Sequence, residues 1–169
     1  MGTENSEHSG FDTRKYRNTL GCFTTGVCLI STLDNQGRAR AMTANSFTSV
    51  SLAPPIILWS IDQSSERFEL FNSAETFSVS ILRGDEGDTS RHFARHVDAE
   101  LTGEDLVYSD AGLPRYAKAL AWVDCQTGWR QQAGDHVVIF GKVVDFGSDS
   151  GDALGFFRGG YSNIPDVRG

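Results

Sequence analysis

No run of lysine or arginine interrupts this 169-residue chain, whose formal net charge is −7. That balance repels nucleic-acid backbones and anionic membrane surfaces on average, so neither is an expected partner. Cysteine is scarce: Cys22, Cys28 and Cys125 are odd in number and lack CxxC spacing. They read as reduced, packed thiols of a cytoplasmic protein rather than a disulfide frame. Long apolar runs are missing too, and the longest, such as "PPIILWSI", are far too short to span a bilayer. The opening "MGTENSEHSG" has no apolar segment of signal-peptide type, and residues 1–11 read as a disordered tail.

The familiar catalytic and nucleotide-binding patterns are absent as well. Neither "GDEGDTS" nor "FRGGYSN" has GxGxxG spacing between a strand and a helix, and no GxSxG elbow or P-loop occurs. His92 and His96 lie four apart on an expected helix, but without HExxH or a third ligand they read as surface histidines, with no metal site. No triad or carboxylate pair is evident.

What is present favours β structure. Hydrophobic residues make up 39 % and aromatics 11 %, with eleven Phe, three Trp and eighteen Gly, enough apolar area for one domain over residues 12–165. Tyr16, Leu20 and Phe23 have helical spacing behind an N-cap at Asp12 or Thr13. "TGVCLIST" and "ARAMTAN" read as strands joined by the turn "LDNQGR", and "IILWSI", nearly all apolar, as a central strand. Ser64 opens a short helix carrying Phe68 and Phe71. "TFSVSIL" alternates Phe77, Val79 and Ile81 against Ser78 and Ser80, the pattern of a half-buried strand. A second helix covers "DTSRHFARH", and residues 98–118 read as loop. Two long strands meet at Gly134-Asp135, and "LGFFRGGYSNI" ends the ordered part. Hairpin-linked strands with a few short helices suggest a small antiparallel barrel.

One stretch is chemically unusual. "AMTANSFTSVSL" gathers the hydroxyls of Thr43, Ser46, Thr48, Ser49 and Ser51 and the amide of Asn45, with no charge among them. Such groups suit either a turn-rich connection or a cradle for a polar ligand. Asp135-His136 and Arg158 read, by spacing alone, as turn and surface residues.

"LGCFTTGV", "AMTANSFTSVSLAPPIILWSI", "GDHVVIFGKV" and "FFRGGY" together resemble the flavin reductase family, over about Tyr16 to Ile164 and in the family's order. The resemblance implies a mostly β, Greek-key, antiparallel split barrel that binds FMN, or FAD in its place. It also implies an NAD(P)H:flavin oxidoreductase of the kind that supplies reduced flavin to a separate monooxygenase, and a homodimer. Two other readings follow from the same resemblance: a reductase with tightly held flavin acting on a corrinoid or ferric acceptor, and a non-enzymatic flavin-binding protein.

Carried over residue by residue, the family's ring contacts fall on Thr25, Gly26 and Val27 and on Ala44, Asn45 and Ser46. Its phosphate-end contact falls on Ser49, Val50, Ser51 and Leu52, with Ser80, Arg158 and Tyr161 completing the cofactor set. Many relatives carry Asn where this chain has Ser80, and "LRGDEGDTSRHFARH" keeps only the frame of Ser90, Phe93 and Ala94. His136 borders the nicotinamide side, where it would position NADH or NADPH rather than act as an acid or base. Hydride passes from nicotinamide C4 to flavin N5, so alignment is the protein's task.

Overall fold

The structure is a computed structural model that describes residues 11–167; of the tail expected over residues 1–11, all but Phe11 lies outside the described residues. Asp12 caps α1 (Thr13–Leu20), its carboxylate accepting from the Lys15 N–H at 2.9 Å. The spaced apolar residues of this segment do not enter the core. Tyr16, Leu20 and Phe23 are all exposed, and α1 buries no residue.

The single strand expected over residues 25–32 is two, β1 (Thr25–Gly26) and β2 (Cys28–Leu33). Between them Val27 donates to the Leu154 carbonyl at 3.1 Å, and its own carbonyl accepts from Leu82 N–H at 3.0 Å. The chain changes sheets at that residue. β3 (Ala39–Ala44) pairs back on β2, and β4 (Thr48–Leu52) pairs on β5 (Pro55–Asp62). α2 (Phe68–Ser73) leads to β6 (Thr76–Ile81), and α3 (Gly87–Arg95) follows. The segment 98–118, expected as loop, holds the hairpin β7 (Leu106–Tyr108) and β8 (Pro114–Tyr116). The long hairpin is β9 (Ala121–Ala133) with β10 (His136–Ser148), and the last is β11 (Ala153–Phe157) with β12 (Gly160–Ile164).

Every ladder is antiparallel. Seven strands form one sheet in the order β3-β2-β6-β9-β10-β5-β4, and β1-β11-β12 form a second. Among the described residues no ladder joins the edges β3 and β4, so the large sheet is not a hydrogen-bonded closed barrel.

Two expectations about single strands need correction. β5 is not central: it lies next to the edge and alternates, burying Ile57, Trp59 and Ile61 while Leu58 and Ser60 are half-buried. A strand with only one face in the core needs just that face to be apolar. β6 errs the other way, since Ser78 and Ser80 are fully buried although the alternation assigned them to solvent. The β7–β8 hairpin roofs that face, with Tyr116 N–H donating to Ser80 Oγ at 3.1 Å.

Trp59 lies edge-on to Phe71 and Phe77, at 5.8 and 6.0 Å between centroids, in the core between the sheet's faces. A second cluster around Leu29, Leu82, Phe93, Leu101 and Leu154 fastens α3 and β11 to the other face. Burial pushes the Cys28 and Cys125 thiols up to about 12, while Cys22 is exposed. Among the described residues no helix is long and apolar enough to cross a membrane.

Candidate functional site

Where the two sheets meet at Val27, the end of β3 and the β11–β12 hairpin enclose a depression of about 200 Å³. Val27, Thr43, Ala44, Asn45, Phe156 and Tyr161 line it. All six come from three separated motifs of the sequence, and four of them, Val27, Ala44, Asn45 and Tyr161, are expected site residues. The pocket contains no charged side chain.

Its polar groups divide into committed and open ones. Thr43 donates to the Ser90 carbonyl at 2.7 Å, and Ser90 Oγ lies 2.7 Å from the Tyr161 hydroxyl. α3 thereby orients two pocket walls from behind. Arg91 stands over the Tyr161 ring at 5.3 Å, and Phe156 meets that ring at 5.4 Å. By contrast, the exposed Asn45 amide makes no side-chain hydrogen bond among the described residues. Thr25 Oγ1, on the strand that pairs with Phe156, is buried and has no partner among the described residues. A Cβ added at Gly26 would meet open space.

An orphaned buried hydroxyl carries a desolvation cost of about 1–3 kcal/mol, which a ligand's polar edge would offset. The donor set therefore fits a planar heterocycle with carbonyl and N–H groups on its rim.

The remaining expected residues are dispersed. Ser46 does not present a free hydroxyl: its Oγ accepts from Ser60 N–H at 3.0 Å and donates to the Ser60 carbonyl at 3.1 Å. It extends the β4–β5 pairing as a side-chain staple. Ser80 is buried beneath β8 and reaches no pocket, because its hydroxyl serves Tyr116. Ser49, Val50, Ser51 and Leu52 lie on the edge strand β4, outside the pocket, with a bulge between Ser49 and Ser51. Arg158 stands in the β11–β12 turn, in a groove that shares Phe156 with the pocket.

His136 opens β10 opposite Asp62, its Nδ1 2.7 Å from the Asp135 carboxylate. The Ser64 hydroxyl and N–H bonds hold the Asp62 carboxyl below its ordinary range, with His136 adding to the effect. The ladder places His136 two residues along β10 from Val138, which faces Ser60, the partner of Ser46. Sequence reasoning named Thr43 among the cradle hydroxyls and Ser90 in the family frame without assigning either a place at the site, and it did not single out Phe156. The helical register of "DTSRHFARH" contained Ser90, but only the folded chain places it behind Tyr161.

In this all-antiparallel protein, a concave pocket with aromatic and apolar walls and a few polar groups at a sheet junction is the kind of site that takes a small molecule. The family profile of the flavin reductase like domain matches residues 20–165, and the chain belongs to that family. It is 38 % identical over 155 residues to the FMN reductase (NADH) SmoA of Agrobacterium fabrum, covering 92 % of this chain and 88 % of that protein. It is 37 % identical over 148 residues to the reductase component of the flavin-dependent trigonelline monooxygenase of Acinetobacter baylyi. That match covers 88 % of this chain and 48 % of the relative. Among solved structures, the Streptomyces globisporus NADH:FAD oxidoreductase SgcE6, in complex with NAD and FAD fragments, superposes with a TM-score of 0.84. The identity is 31 %, over 92 % of this chain and 95 % of that one. The chain spans only about half the length of some curated relatives it matches.

Proposed function

We propose that this chain is an NAD(P)H:flavin oxidoreductase that reduces FMN, or FAD in its place, and releases the reduced flavin to a separate monooxygenase. The observation that carries this reading is the neutral pocket between Val27, Asn45 and Tyr161, beside the strand β1 whose buried Thr25 hydroxyl has no partner among the described residues. Membership of the flavin reductase family supports it, as do the FMN, FAD and NADH named in its relatives. When bound, the flavin supplies the ring that accepts the hydride from the nicotinamide.

The chain's own task is placement. Asn45 and Thr25 meet the ring edge, Val27 and Phe156 wall it from water, and Ser90 fixes Tyr161 beside it. Ser49 to Leu52 offer hydroxyls and backbone groups to the phosphate end from an exposed strand. His136 positions the nicotinamide, with Asp135 orienting its ring.

We read residues 12–165 as one split-barrel domain of Greek-key type. Ala44 of β3 and Trp59 of β5 share one core although they lie near opposite edges of the sheet, which supports the curl. A homodimer would cover Leu52, Val144 and Phe146, apolar side chains that this chain leaves exposed. Trp59 fills the protomer's own core, and Trp129 is half exposed, stacked on Phe140 at 4.3 Å. A cytoplasmic setting accords with the three free thiols.

The test is NADH oxidation at 340 nm with rising FMN or FAD. Rates that scale with added flavin are expected; a yellow protein that oxidises no NADH would return the chain to a binding module. His136→Ala should raise KM for NADH by about three- to tenfold with little change in FMN affinity, the loss of one positioning contact. Wild-type reduction kinetics in a stopped-flow series over NADH would remove that role.

A further inference from the structure

Arg40, Arg67 and Asp124 are the charged residues buried among the described residues. Asp124 is met by Arg115 at 2.6 Å, and Arg40 by Asp98 at 2.9 Å and more loosely by Glu100 at 3.6 Å. Arg67, 9 % exposed, forms no ion pair among the described residues. The other arginines without an ion pair, Arg14, Arg17, Arg95, Arg130 and Arg158, are all exposed, where water solvates them. A buried charge lacks that recourse, and leaving one without a counter-ion is costly.

The backbone meets part of the cost. Arg67 Nε donates to the Val97 carbonyl at 3.2 Å and Nη2 to the His96 carbonyl, at the C-terminal end of α3. Arg40 Nη2 donates to the same Val97 carbonyl at 3.1 Å, so two guanidinium groups converge on one neutral acceptor. Two nitrogens are left over. Arg67 Nη1 and Arg40 Nε make neither hydrogen bond nor ion pair among the described residues, and the second is buried. Burial and the neighbouring Arg40 charge hold the Arg67 pKa below its ordinary value, while Glu66 opposes them from beyond ion-pair distance.

Both arginines line a depression of about 630 Å³ between the β2–β3 turn, α2 and the segment after α3. It shares no lining residue with the ring pocket. Leu33, Ala41, Leu70, Ala74 and Val97 give it apolar surface. Its charged lining is mixed: Arg38, Arg40 and Arg67 against Asp34, Glu66, Glu69 and Asp98. Most of these charges cancel. Asp34 is held by Arg38 Nε at 2.7 Å and by two N–H groups of its own turn, and Asp98 by Arg40. Glu66 and Glu69 form no ion pair among the described residues, but both are exposed and screened by solvent and salt. The imbalance that solvent does not relieve is the buried cation.

We infer that this depression binds a small organic monocarboxylate, whose carboxylate is the missing counter-ion of Arg67 and whose apolar body lies against Leu33, Leu70 and Val97. A planar guanidinium matches carboxylate oxygens by charge and by geometry, and Arg40 adds its charge behind. A second negative charge on the ligand would face Glu66 and Glu69, so dicarboxylates and phosphates are disfavoured. The inference stands apart from the flavin site and does not rest on it.

Benzoate is the probe, with benzamide as its neutral counterpart and phthalate as a dianion. Calorimetric titration of the wild-type protein should show saturable benzoate binding, with benzamide and phthalate weaker by about tenfold or more. The backbone amide resonances of Ala41, Leu70 and Val97 should shift on benzoate addition. Arg67→Gln should weaken benzoate by about tenfold or more, the loss of one partner of a buried charge pair. Because Arg67 also holds the end of α3, a fall in Tm alone would be the mark of a purely structural arginine. A second variant leaves the guanidinium in place: Glu66→Gln with Glu69→Gln, both at exposed positions, should tighten phthalate by about threefold and benzoate by less. Absence of benzoate binding and of amide shifts would overturn the site, as would equal binding of benzamide. Benzoate displaced competitively by FMN, with shifts at Val27 and Asn45 instead, would overturn it too. So would phthalate affinity unchanged in the glutamine pair.

Discussion

Two stretches of this chain alternate serine with apolar residues, and the fold treats them in opposite ways. On β6, between β2 and β9, Ser78 and Ser80 are fully buried and both hydroxyls have protein partners. On β4, at the sheet's edge, Ser49 is exposed and neither Ser49 nor Ser51 makes a side-chain hydrogen bond among the described residues. An interior strand has neighbours that fill every polar valence; an edge strand leaves those valences to solvent or a ligand. A hydroxyl's place in the sheet, more than its place in the sequence, decides whether it serves the fold or a ligand.

The largest effect that could break this contrast lies under Ser78. Its hydroxyl donates to Asp124 at 2.7 Å, and Arg115 reaches the same buried carboxylate through Nε at 2.8 Å and Nη2 at 2.6 Å. Asp124→Ala leaves Arg115 only the Asp145 carboxylate, and Ser78 loses its acceptor. The loss should be about 3–5 kcal/mol in urea unfolding, the cost of breaking a buried pair by removing one partner. A variant within 1 kcal/mol of wild type, on the scale of an exposed pair, would mean the β6 face is no more committed than β4.

Exchanging Ser80 and Asn45 for alanine sharpens the comparison at intermediate size. Ser80→Ala strands the Tyr116 N–H in a buried layer and should lower stability by about 1–3 kcal/mol, leaving FMN affinity intact. Asn45→Ala should do the reverse. With no partner to lose, stability should stay within about 0.5 kcal/mol of wild type. FMN affinity should fall by about 0.5–1.5 kcal/mol, roughly two- to twelvefold. Fluorescence titration beside thermal melts reads both. A destabilised Asn45→Ala with unaltered FMN affinity would reverse their assignments.

Much of the architecture was legible because antiparallel hairpins are local: turn residues and alternation sit side by side in the chain. The β9–β10 and β2–β3 hairpins and α3 are where their patterns place them. The losses came where a distant segment supplied the missing face. Nothing near Ser78 announces that residues 114–116 will cover it, and nothing near Ser46 announces Ser60. The site was legible as motifs but not as geometry. Val27, Ala44, Asn45 and Tyr161 share one pocket, whereas Ser80 and β4 do not reach it. Phe156 was invisible as a wall because its side chain gains meaning only from the pairing of β1 with β11.

The smallest predicted effect tests the one hydroxyl that belongs to neither side of the comparison. Thr25 Oγ1 is buried, like the β6 serines, yet has no partner among the described residues, like those of β4. Thr25→Val keeps the β-branched shape that the strand prefers and removes only the polar atom. If that oxygen waits for a ligand, the unliganded protein should be unchanged or up to about 1 kcal/mol more stable, since an unmet desolvation cost disappears. FMN affinity should then fall by about 0.5–1 kcal/mol, and the gap in Tm between free and flavin-saturated protein should narrow. Equal stabilisation of the free and flavin-bound forms would make Thr25 a packing defect with no part in the pocket. A loss of stability without flavin would point instead to a hydrogen bond made to water, and would move Thr25 to the side of Ser80.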